Sequence, residues 1–275
     1  MDFGYPIGEL VWFAFALVAT GAVAGVLAGV FGIGGGAVLV PVLYQFLEML
    51  NVDDSIRIHV AVGTSLGIIV PTSLRSFRSH MKRGAVDMDL LKSFIIPVPV
   101  GVIIGSLVAA YISGAGLKAI FACIALAVAI KMLFGRASWR LGDDLPGQPG
   151  LSIVGVVMGF FSVLMGIGGG VMNNTFMTLF NRPIHQAVAT SSGVGVLISI
   201  PGMLGFIWAG WGAEGLPPLS LGFVNILAVL LVIPVTLLVA PLGVHVAHAL
   251  SKRTLEMSFG IFLVIVAARF FYSLI

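Results

Sequence analysis

Eight long apolar stretches follow one another along the chain, separated by short polar connections. Most of them reach or exceed the roughly 20 residues that a helix needs to cross the hydrocarbon of a bilayer. Inside lipid, backbone N–H and C=O groups must be hydrogen-bonded within the protein, and the sequence shows no alternating pattern typical of strands. The apolar stretches therefore predict an all-α polytopic membrane protein. The stretches lie at about 11–50, 58–78, 91–113, 116–134, 151–180, 184–211, 217–249 and 254–275.

The composition supports the same fold class. Hydrophobic residues make up 59% of the 275 residues and charged residues only 9%, whereas a soluble domain has roughly 25% charged residues. So few charges cannot cover a water-exposed surface, which excludes a soluble enzyme. The 14 basic residues are also too few to hold nucleic acid. The single cysteine, Cys123, excludes an internal disulfide and a cysteine metal cluster, and we expect neither a metal nor a cofactor.

The two halves of the chain repeat each other. Duplicated halves are common in secondary transporters, which hold the substrate between the repeats; the alternative is a duplicated scaffold with no transport role. Each repeat holds four apolar segments, and the offsets between matched positions are 134, 126 and 138 residues. The matches are GIGGG at 32–36 and 166–170, I-H-x-A-V-x-T-S at 58–65 and 184–191, and Gly105 and Phe121 with Gly243 and Phe259.

A polar stretch rich in glycine and proline separates the halves. The sequence therefore predicts a first transmembrane repeat at 1–134, a linker at 135–150 and a second transmembrane repeat at 151–275. The first apolar stretch has no basic residue before it and continues to about residue 50, so we interpret it as mature protein rather than as a secretory signal.

The basic residues indicate the orientation of the segments. If every stretch crosses once, nine basic residues fall on one side and five on the other. If the first stretch of each half is instead a hairpin broken at its glycines, only Arg57, Lys118 and Arg269 lie on one side and eleven on the other. The positive-inside rule favours this second arrangement. It makes the repeats inverted, and it predicts a cytoplasmic linker with both termini outside.

Each GIGGG motif is predicted to interrupt a membrane helix. Glycine tolerates positive φ and lets another group approach the backbone. Helix resumes near Ala37 and Val171, which leaves a helix N-terminus and its positive dipole end inside the membrane, where an anion is favoured. In inverted repeats the two breaks converge near the midplane. A dinucleotide or Walker site is not supported, because no βαβ unit and no motif lysine accompany these glycines.

Polar side chains follow both breaks. Hydroxyl residues lie at matched positions in the next segment, where they can bind an anion or merely bond back to the i−4 carbonyl. Two adjacent carboxamides beside the second break are expensive in lipid, so we expect them to face a cavity. The candidate substrate-binding residues are Gly32, Gly34, Gly35, Gly36, Thr64, Ser65, Gly166, Gly168, Gly169, Gly170, Asn173, Asn174, Thr190 and Ser191.

Titratable side chains give weaker signals. His59 and His185 are the only repeat-matched titratable candidates, either for coupling or gating or as interfacial anchors. Arg75 and Arg78 either draw anions toward a cytoplasmic mouth or simply mark the cytoplasmic side. Every Asp and Glu lies near a segment end or in a loop, so we do not expect a carboxylate proton relay.

Several blocks of the sequence resemble one known family. The stretches at 25–41, 80–87, 220–225, 240–243 and 259–260 are similar, in order, to blocks of the TauE/SafE sulfite-exporter family. The resemblance implies an inner-membrane permease for sulfite, sulfonates or related anions. Asn225 lies in the block at 220–225, and we add it to the candidates for coupling or gating. Asn173 and Asn174 depart from the family's usual apolar-proline ending of the hairpin.

The sequence thus predicts a secondary transporter that moves a small sulfur-containing anion, such as sulfite, thiosulfate or an organosulfonate, across the membrane. The alternative is a channel for anions or small polar solutes. An intramembrane enzyme is not supported, because no nucleophile–base or metal constellation lies at membrane depth. The expected partners are the anion and the lipid bilayer, and formation of a homo-oligomer is left open.

Overall fold

The computed structural model describes residues 15, 17–19, 21–26, 36–135, 140–249 and 251–274. Helical residues at 17–19 and 21–26 precede the helices with defined bounds. These are α1 (Gly36–Met49), α2 (Asp54–Lys82), α3 (Met88–Phe94), α4 (Pro97–Tyr111), α5 (Gly114–Phe134), α6 (Gly150–Leu164), α7 (Gly170–Leu179), α8 (Ile184–Ala209), α9 (Ile226–Ala249) and α10 (Lys252–Tyr272). An antiparallel ribbon of β1 (Ser220–Leu221) and β2 (Val224–Asn225) precedes α9.

Length and apolar composition mark several of these helices as membrane spans. Among the described residues, α2, α5, α8 and α10 qualify by themselves, and the bent pair α3 and α4 brings the number to five. Apart from the short ribbon, the regular structure of the described residues is therefore helical, with several helices long and apolar enough to cross a membrane, as in an all-α polytopic membrane protein. This confirms the fold class that the apolar pattern predicts.

Two apolar stretches are not the continuous helices that their hydrophobicity predicts. The stretch at 91–113 bends by 41° between α3 and α4, because Pro97 starts a new helix at a position where it needs no N–H donor. The stretch at 217–249 opens with the ribbon, since Gly222 adopts a φ of +55 and turns the chain. Both corrections have local backbone causes that hydrophobicity does not report.

The centre of the molecule is the pair of equivalent helices α2 and α8. Their packing includes Leu66, whose side chain lies 3.2 Å from the position of a Cβ on Gly202. The hydroxyl oxygens of Ser73 and Ser199 lie 3.5 Å apart and are buried. These two serines are 126 residues apart, which is the offset between the matched I-H-x-A-V-x-T-S patterns.

The other helices pack closely through glycines. A Cβ on Gly101 of α4 would meet the carbonyl oxygen of Val156 in α6, and one on Gly159 of α6 would meet that of Val98 in α4. These glycines therefore let α4 and α6 approach closely.

Helices α5 and α10 run antiparallel. Arg253, at the start of α10, donates to the carbonyl oxygens of Met132 and Leu133 at 3.1 and 2.6 Å, near the end of α5. At the opposite end, the rings of Phe121 and Phe270 lie 5.2 Å apart. Residues near the end of α10 therefore lie at the end of α5 that is remote from the linker.

The second glycine motif separates two helices that fold back on each other. A Cβ on Gly155, early in α6, would lie 3.1 Å from the ring of Phe94, and the same ring lies 6.3 Å from that of Phe176, late in α7. Leu141 of the linker donates its N–H to the carbonyl of Leu179 at 2.9 Å. The chain thus returns to the linker face after the break predicted there.

We expect Gly101→Ala to destabilise the α4–α6 contact. The obstacle is the backbone carbonyl of Val156, which cannot move aside like a side chain, and overpacking of this kind costs about 1–3 kcal/mol. Thermal unfolding of the purified protein in detergent measures the loss. Gly147→Ala is the control, because a Cβ at Gly147 meets no atom within 4 Å; equal stability of the two variants would contradict the prediction.

Candidate functional site

The two glycine motifs touch each other. Gly36, the last glycine of the first motif, begins α1. A Cβ on Gly36 would lie 2.6 Å from the carbonyl oxygen of Gly166 and 2.6 Å from the Cα of Ile167, both in the second motif. Only glycine fits at this contact. The remaining candidates of the first motif, Gly32, Gly34 and Gly35, lie outside the described residues.

The second motif needs glycine for its backbone conformation as well. Gly166 and Gly169 have φ of +62 and +70, which L side chains rarely adopt. Gly169 is the N-cap of α7, and no side chain caps this helix start. A Cβ on Gly169 would lie 2.5 Å from Ile198, and one on Gly195 would lie 3.1 Å from the carbonyl oxygen of Gly168. Helix α8 is therefore packed directly against the break, and α7 begins with its positive dipole end there.

Hydrogen bonds fix the backbone of the break. Ser65 of α2 donates its hydroxyl to the carbonyl oxygen of Gly166 at 2.8 Å. The N–H of Ile167 donates to the carbonyl of Ser162 at 3.0 Å, and the N–H of Asn173 donates to that of Gly169 at 2.8 Å. All residues from Ser162 to Gly170 are buried. This part of the break is therefore shielded from solvent in this structure.

The carboxamides and one matched serine form a polar cluster next to the break. Asn173 donates its Nδ2 to the hydroxyl oxygen of Ser191 at 2.8 Å, and Ser191 donates to Oδ1 of Asn174 at 2.7 Å. The side chain of Asn173 is fully buried, and its Oδ1 has no hydrogen-bond partner. A buried amide oxygen without a donor is uncommon and costly, so this cluster has unused capacity to bind a donor.

Thr64 and Thr190 bind backbone of the opposite half of the chain. Thr64 accepts a hydrogen bond from the N–H of Asn225 at 3.0 Å, and Thr190 accepts one from the N–H of Asp87 at 2.9 Å. Asp87 and Asn225 are 138 residues apart and occupy matched positions. Their side chains accept from Leu90 and Ala228, each three residues on. We name these two contacts the threonine clasps.

The coupling and gating candidates lie in different surroundings. His59 is buried against the ring of Phe223 at 5.0 Å, with its Nδ1 buried and unpartnered. It is thus not an exposed interfacial anchor, whereas His185 is exposed. Arg75 and Arg78 are exposed near the end of α2. The side-chain amide of Asn225 is hydrogen-bonded within the ribbon and turn before α9, where Nδ2 donates to the carbonyl of Pro218 and to Ser220.

Some buried polar residues near the site are not predicted from the sequence. Ser162 is fully buried before the second motif and contacts the sulfur of Met172 at 3.6 Å; no repeat match or motif points to it. Ser73 and Ser199 could have been found, because they obey the 126-residue offset of the surrounding pattern.

Known proteins resemble this chain over most of its length. A probable membrane transporter protein of Haemophilus influenzae is 33% identical over 261 residues, which are 94% of this chain and 99% of that protein. A probable membrane transporter protein of Methanocaldococcus jannaschii is 30% identical over 243 residues, which are 88% of this chain and 89% of that protein. One of Bacillus subtilis is 27% identical over 277 residues, 94% and 97% of the two chains. No solved structure matches the chain significantly.

A profile of the sulfite exporter TauE/SafE family matches residues 17–270. This range includes both glycine motifs, the polar cluster and the threonine clasps, so the similarity covers the candidate site as well as the spanning helices. The chain therefore belongs to the sulfite exporter TauE/SafE family and is a membrane transporter protein.

Proposed function

We propose that the chain is a secondary transporter that carries a small sulfur-containing anion, such as sulfite, thiosulfate or an organosulfonate, across the cell membrane. The anion binds where the two glycine motifs meet. The observation that carries this proposal is the contact of Gly36 with Gly166 and Ile167, because it places the start of α1 against the break that precedes α7.

Helix α7 begins at the second break, and the sequence predicts that a helix also begins after the first glycine motif, so two positive dipole ends at this buried contact would favour negative charge. Each helix end contributes about 0.3–2 kcal/mol toward binding an anion, while dehydration of an ion costs several kcal/mol. One end is therefore insufficient, and two ends with side-chain donors approach the requirement. Asn174 and Ser191 supply polar groups beside α7. The family name and the absence of charged side chains from this polar cluster of described residues fit a small oxyanion better than a larger and more highly charged phosphate compound.

The halves are best described as inverted repeats. The basic-residue distribution supports the inverted arrangement, and the threonine clasps support a two-fold relation, because each half contributes the acceptor of one clasp and the donor of the other at matched positions. Exchange of roles is what a two-fold relation between the halves produces. An axis in the membrane plane would bring the two glycine motifs in from opposite faces, as in other transporters built from repeats.

The closed site favours a carrier over a channel. Ser65, Asn173 and Thr190 are fully buried, so a bound anion would be enclosed until one half moves against the other. Uptake by a carrier saturates with substrate and shows counterflow, whereas uptake through a channel does neither. Proteoliposomes with sulfite, thiosulfate, sulfoacetate and taurine, with and without a pH gradient, test the proposed function and identify the coupling.

We expect Gly36→Ala and Gly169→Ala each to lower transport more than about tenfold while membrane insertion persists. A methyl group at Gly36 meets backbone, and at Gly169 it meets Ile198 in a conformation with positive φ; overpacking of about 1–3 kcal/mol at the site corresponds to this loss. Proteoliposome uptake measures it.

Gly212→Ala is the matched control for Gly169→Ala, since Gly212 also has positive φ but open space around it. It is expected to transport at the native rate. Native rates in Gly36→Ala and Gly169→Ala would show that the glycines are only packing spacers.

We expect Asn173→Leu and Asn174→Leu to change the order of preference among substrates. Loss of one polar partner in a dry site costs about 1–3 kcal/mol, or about 5–150-fold in affinity, and the loss depends on the polar groups of each substrate. Competition between the four anions during uptake measures the preference.

Thr64→Val and Thr190→Val serve as the comparison. Each removes a clasp acceptor rather than a substrate-specific group, so all substrates should weaken alike. A uniform loss in the asparagine variants would assign Asn173 and Asn174 to the scaffold or to a general anion site.

The proposed topology places the linker and Lys82 in the cytoplasm and both termini outside. In cells that express a variant with Cys123 replaced, a cysteine at Lys82→Cys should react with membrane-impermeant thiol reagent only after lysis. Glu214→Cys is the matched control on the opposite face, near Gly215, which approaches Ile56 at the start of α2; it should react in intact cells. A terminal tag found in the cytoplasm would contradict the inverted arrangement.

A further inference from the structure

A charged cluster lies away from the glycine motifs, at the end of α5 remote from the linker. Lys118 of α5 is 1% exposed, and its Nζ lies 2.7 Å from Oδ2 of Asp54 at the start of α2. A buried ammonium in a membrane protein is costly and needs a counter-ion. Among the described ion pairs, the contact with Asp54 is the one that compensates the charge of Lys118.

Three donors from three helices converge on the carboxylate of Asp54. Besides Lys118, the hydroxyl of Tyr44 in α1 donates to Oδ1 at 2.7 Å, and the guanidinium of Arg57 lies 3.4 Å from the same oxygen. Arg57 is oriented by its Nε and Nη2, which donate to the carbonyl of Val52 at 3.0 and 2.8 Å. An ammonium, a guanidinium and a phenol hydroxyl are the donors of an oxyanion site.

The aromatic ring of Tyr44 keeps the two cations in place. The charged groups of Arg57 and Lys118 lie 5.3 and 5.9 Å from its centre, within the range of cation–π attraction. Edge contact with Phe270 at 5.0 Å fixes the ring itself. The donors are therefore held in position by packing that does not involve the carboxylate.

The carboxylate is the replaceable member of the cluster. Its side chain is 55% exposed, whereas Lys118 and Tyr44 are buried behind it. Asp53 does not take part, because its carboxylate accepts from the N–H and hydroxyl of Ser55. Two positive charges thus face one aspartate that borders water. An external oxyanion can approach from the same side and take over its contacts.

We propose that Lys118, Arg57 and Tyr44 form a second binding site for a small oxyanion, in which the carboxylate of Asp54 occupies the ligand position until the anion displaces it. The choice of a sulfur oxyanion as ligand rests on the proposed function. Tyr44 follows Gly36 by eight residues in α1, or about 12 Å along the helix, so this second site lies close to the glycine motifs.

Among the described residues, the cluster has no counterpart at the repeat-matched positions. The repeat offsets of 134, 126, 126 and 138 carry Tyr44, Asp54, Arg57 and Lys118 to Thr178, Phe180, Pro183 and Glu256. No cation stands at the matched positions, so the cluster is not a consequence of duplication. It distinguishes the two faces of the transporter, and it gives the face remote from the linker a place where an anion binds before it reaches the glycine motifs.

Equilibrium binding of radiolabelled sulfite to the purified full-length chain in detergent tests this site. Asp54→Asn removes the competing charge and keeps an acceptor for Tyr44, so we expect the affinity for sulfite to rise about tenfold or more. Adding Lys118→Met should abolish the gain, and adding Tyr44→Phe should reduce it about fivefold. A folded Asp54→Asn protein with native affinity, or a gain that survives Lys118→Met, would overturn the proposal.

Glu48→Gln is the matched control. Glu48 pairs with Arg269 at 3.4 Å at the same end of the molecule, but both side chains are exposed. This variant changes the net charge equally without opening an enclosed set of donors, so it should bind sulfite like the native chain. An equal gain in Glu48→Gln would reduce the effect to general electrostatics and overturn the site.

Thermal unfolding supplies a second readout if Asp54→Asn proves unstable. Sulfite should raise the unfolding temperature of Asp54→Asn more than that of the native chain, with chloride as the reference salt, because only ligand binding to the folded state stabilises it. An equal rise in both would count against the site. The gain in binding should also persist in Asp54→Asn/Gly169→Ala. Failure of the native chain to transport sulfite in proteoliposomes, with this gain in binding intact, would refute the proposed function alone.

Discussion

A helix that stops inside a membrane leaves backbone groups that lipid cannot satisfy, and the rest of this structure depends on how that constraint is met. Between α6 and α7 the break is closed by hydrogen bonds from its own turn and by the hydroxyl of Ser65. Gly36 of the other motif covers the carbonyl of Gly166 so closely that no side chain fits. Helices α2 and α8 must therefore lie on either side of the break, which determines the centre of the molecule.

The same constraint explains why Thr64 and Thr190, at matched positions in the two halves, each bind backbone of the opposite half. The loops before α3 and α9 must bury a backbone N–H at the edge of the helix pair α2 and α8. Thr64 and Thr190 accept those two N–H groups. The halves thus satisfy each other's backbone, and neither half can be removed without leaving buried donors in the other. Differences between the halves, such as Asp87 against Asn225 or the cluster around Lys118, then set the two faces apart.

Hydrophobicity and glycine spacing predict much of the fold but little of its pairing. The spanning helices and the break before α7 follow from apolar length and from three consecutive glycines. The proximity of Asn173, Asn174 and Ser191 was also foreseeable, since all three follow the second motif. Hydrophobicity does not predict the ribbon at 220–225 or the bend at Pro97, because an apolar stretch has the same composition whether its backbone continues as a helix or turns. Thr64 was expected at the substrate, yet its oxygen already binds Asn225.

Lys118 shows a further limit of sequence reasoning. In the sequence it is one of three basic residues on the less basic face, near the start of an apolar stretch, where a lysine usually extends to the interface. The structure instead buries it, because Asp54 arrives from another helix 64 residues away to compensate its charge. Partners so distant in sequence leave no pattern along the chain.

The unpartnered oxygen of Asn173 bears on which anions this site can distinguish. Its Oδ1 is buried without a donor, and such a group costs about 1–3 kcal/mol relative to a satisfied one. A ligand with its own N–H or O–H, such as an aminosulfonate or a protonated sulfite, can supply the missing donor, whereas a fully deprotonated oxyanion brings only acceptors. Under the proposed function, the positive dipole end of α7 and the Nδ2–H donors would attract both kinds of ligand. Discrimination between them would then depend on the Oδ1 of Asn173, because both ligands would share the contacts with the glycine motifs.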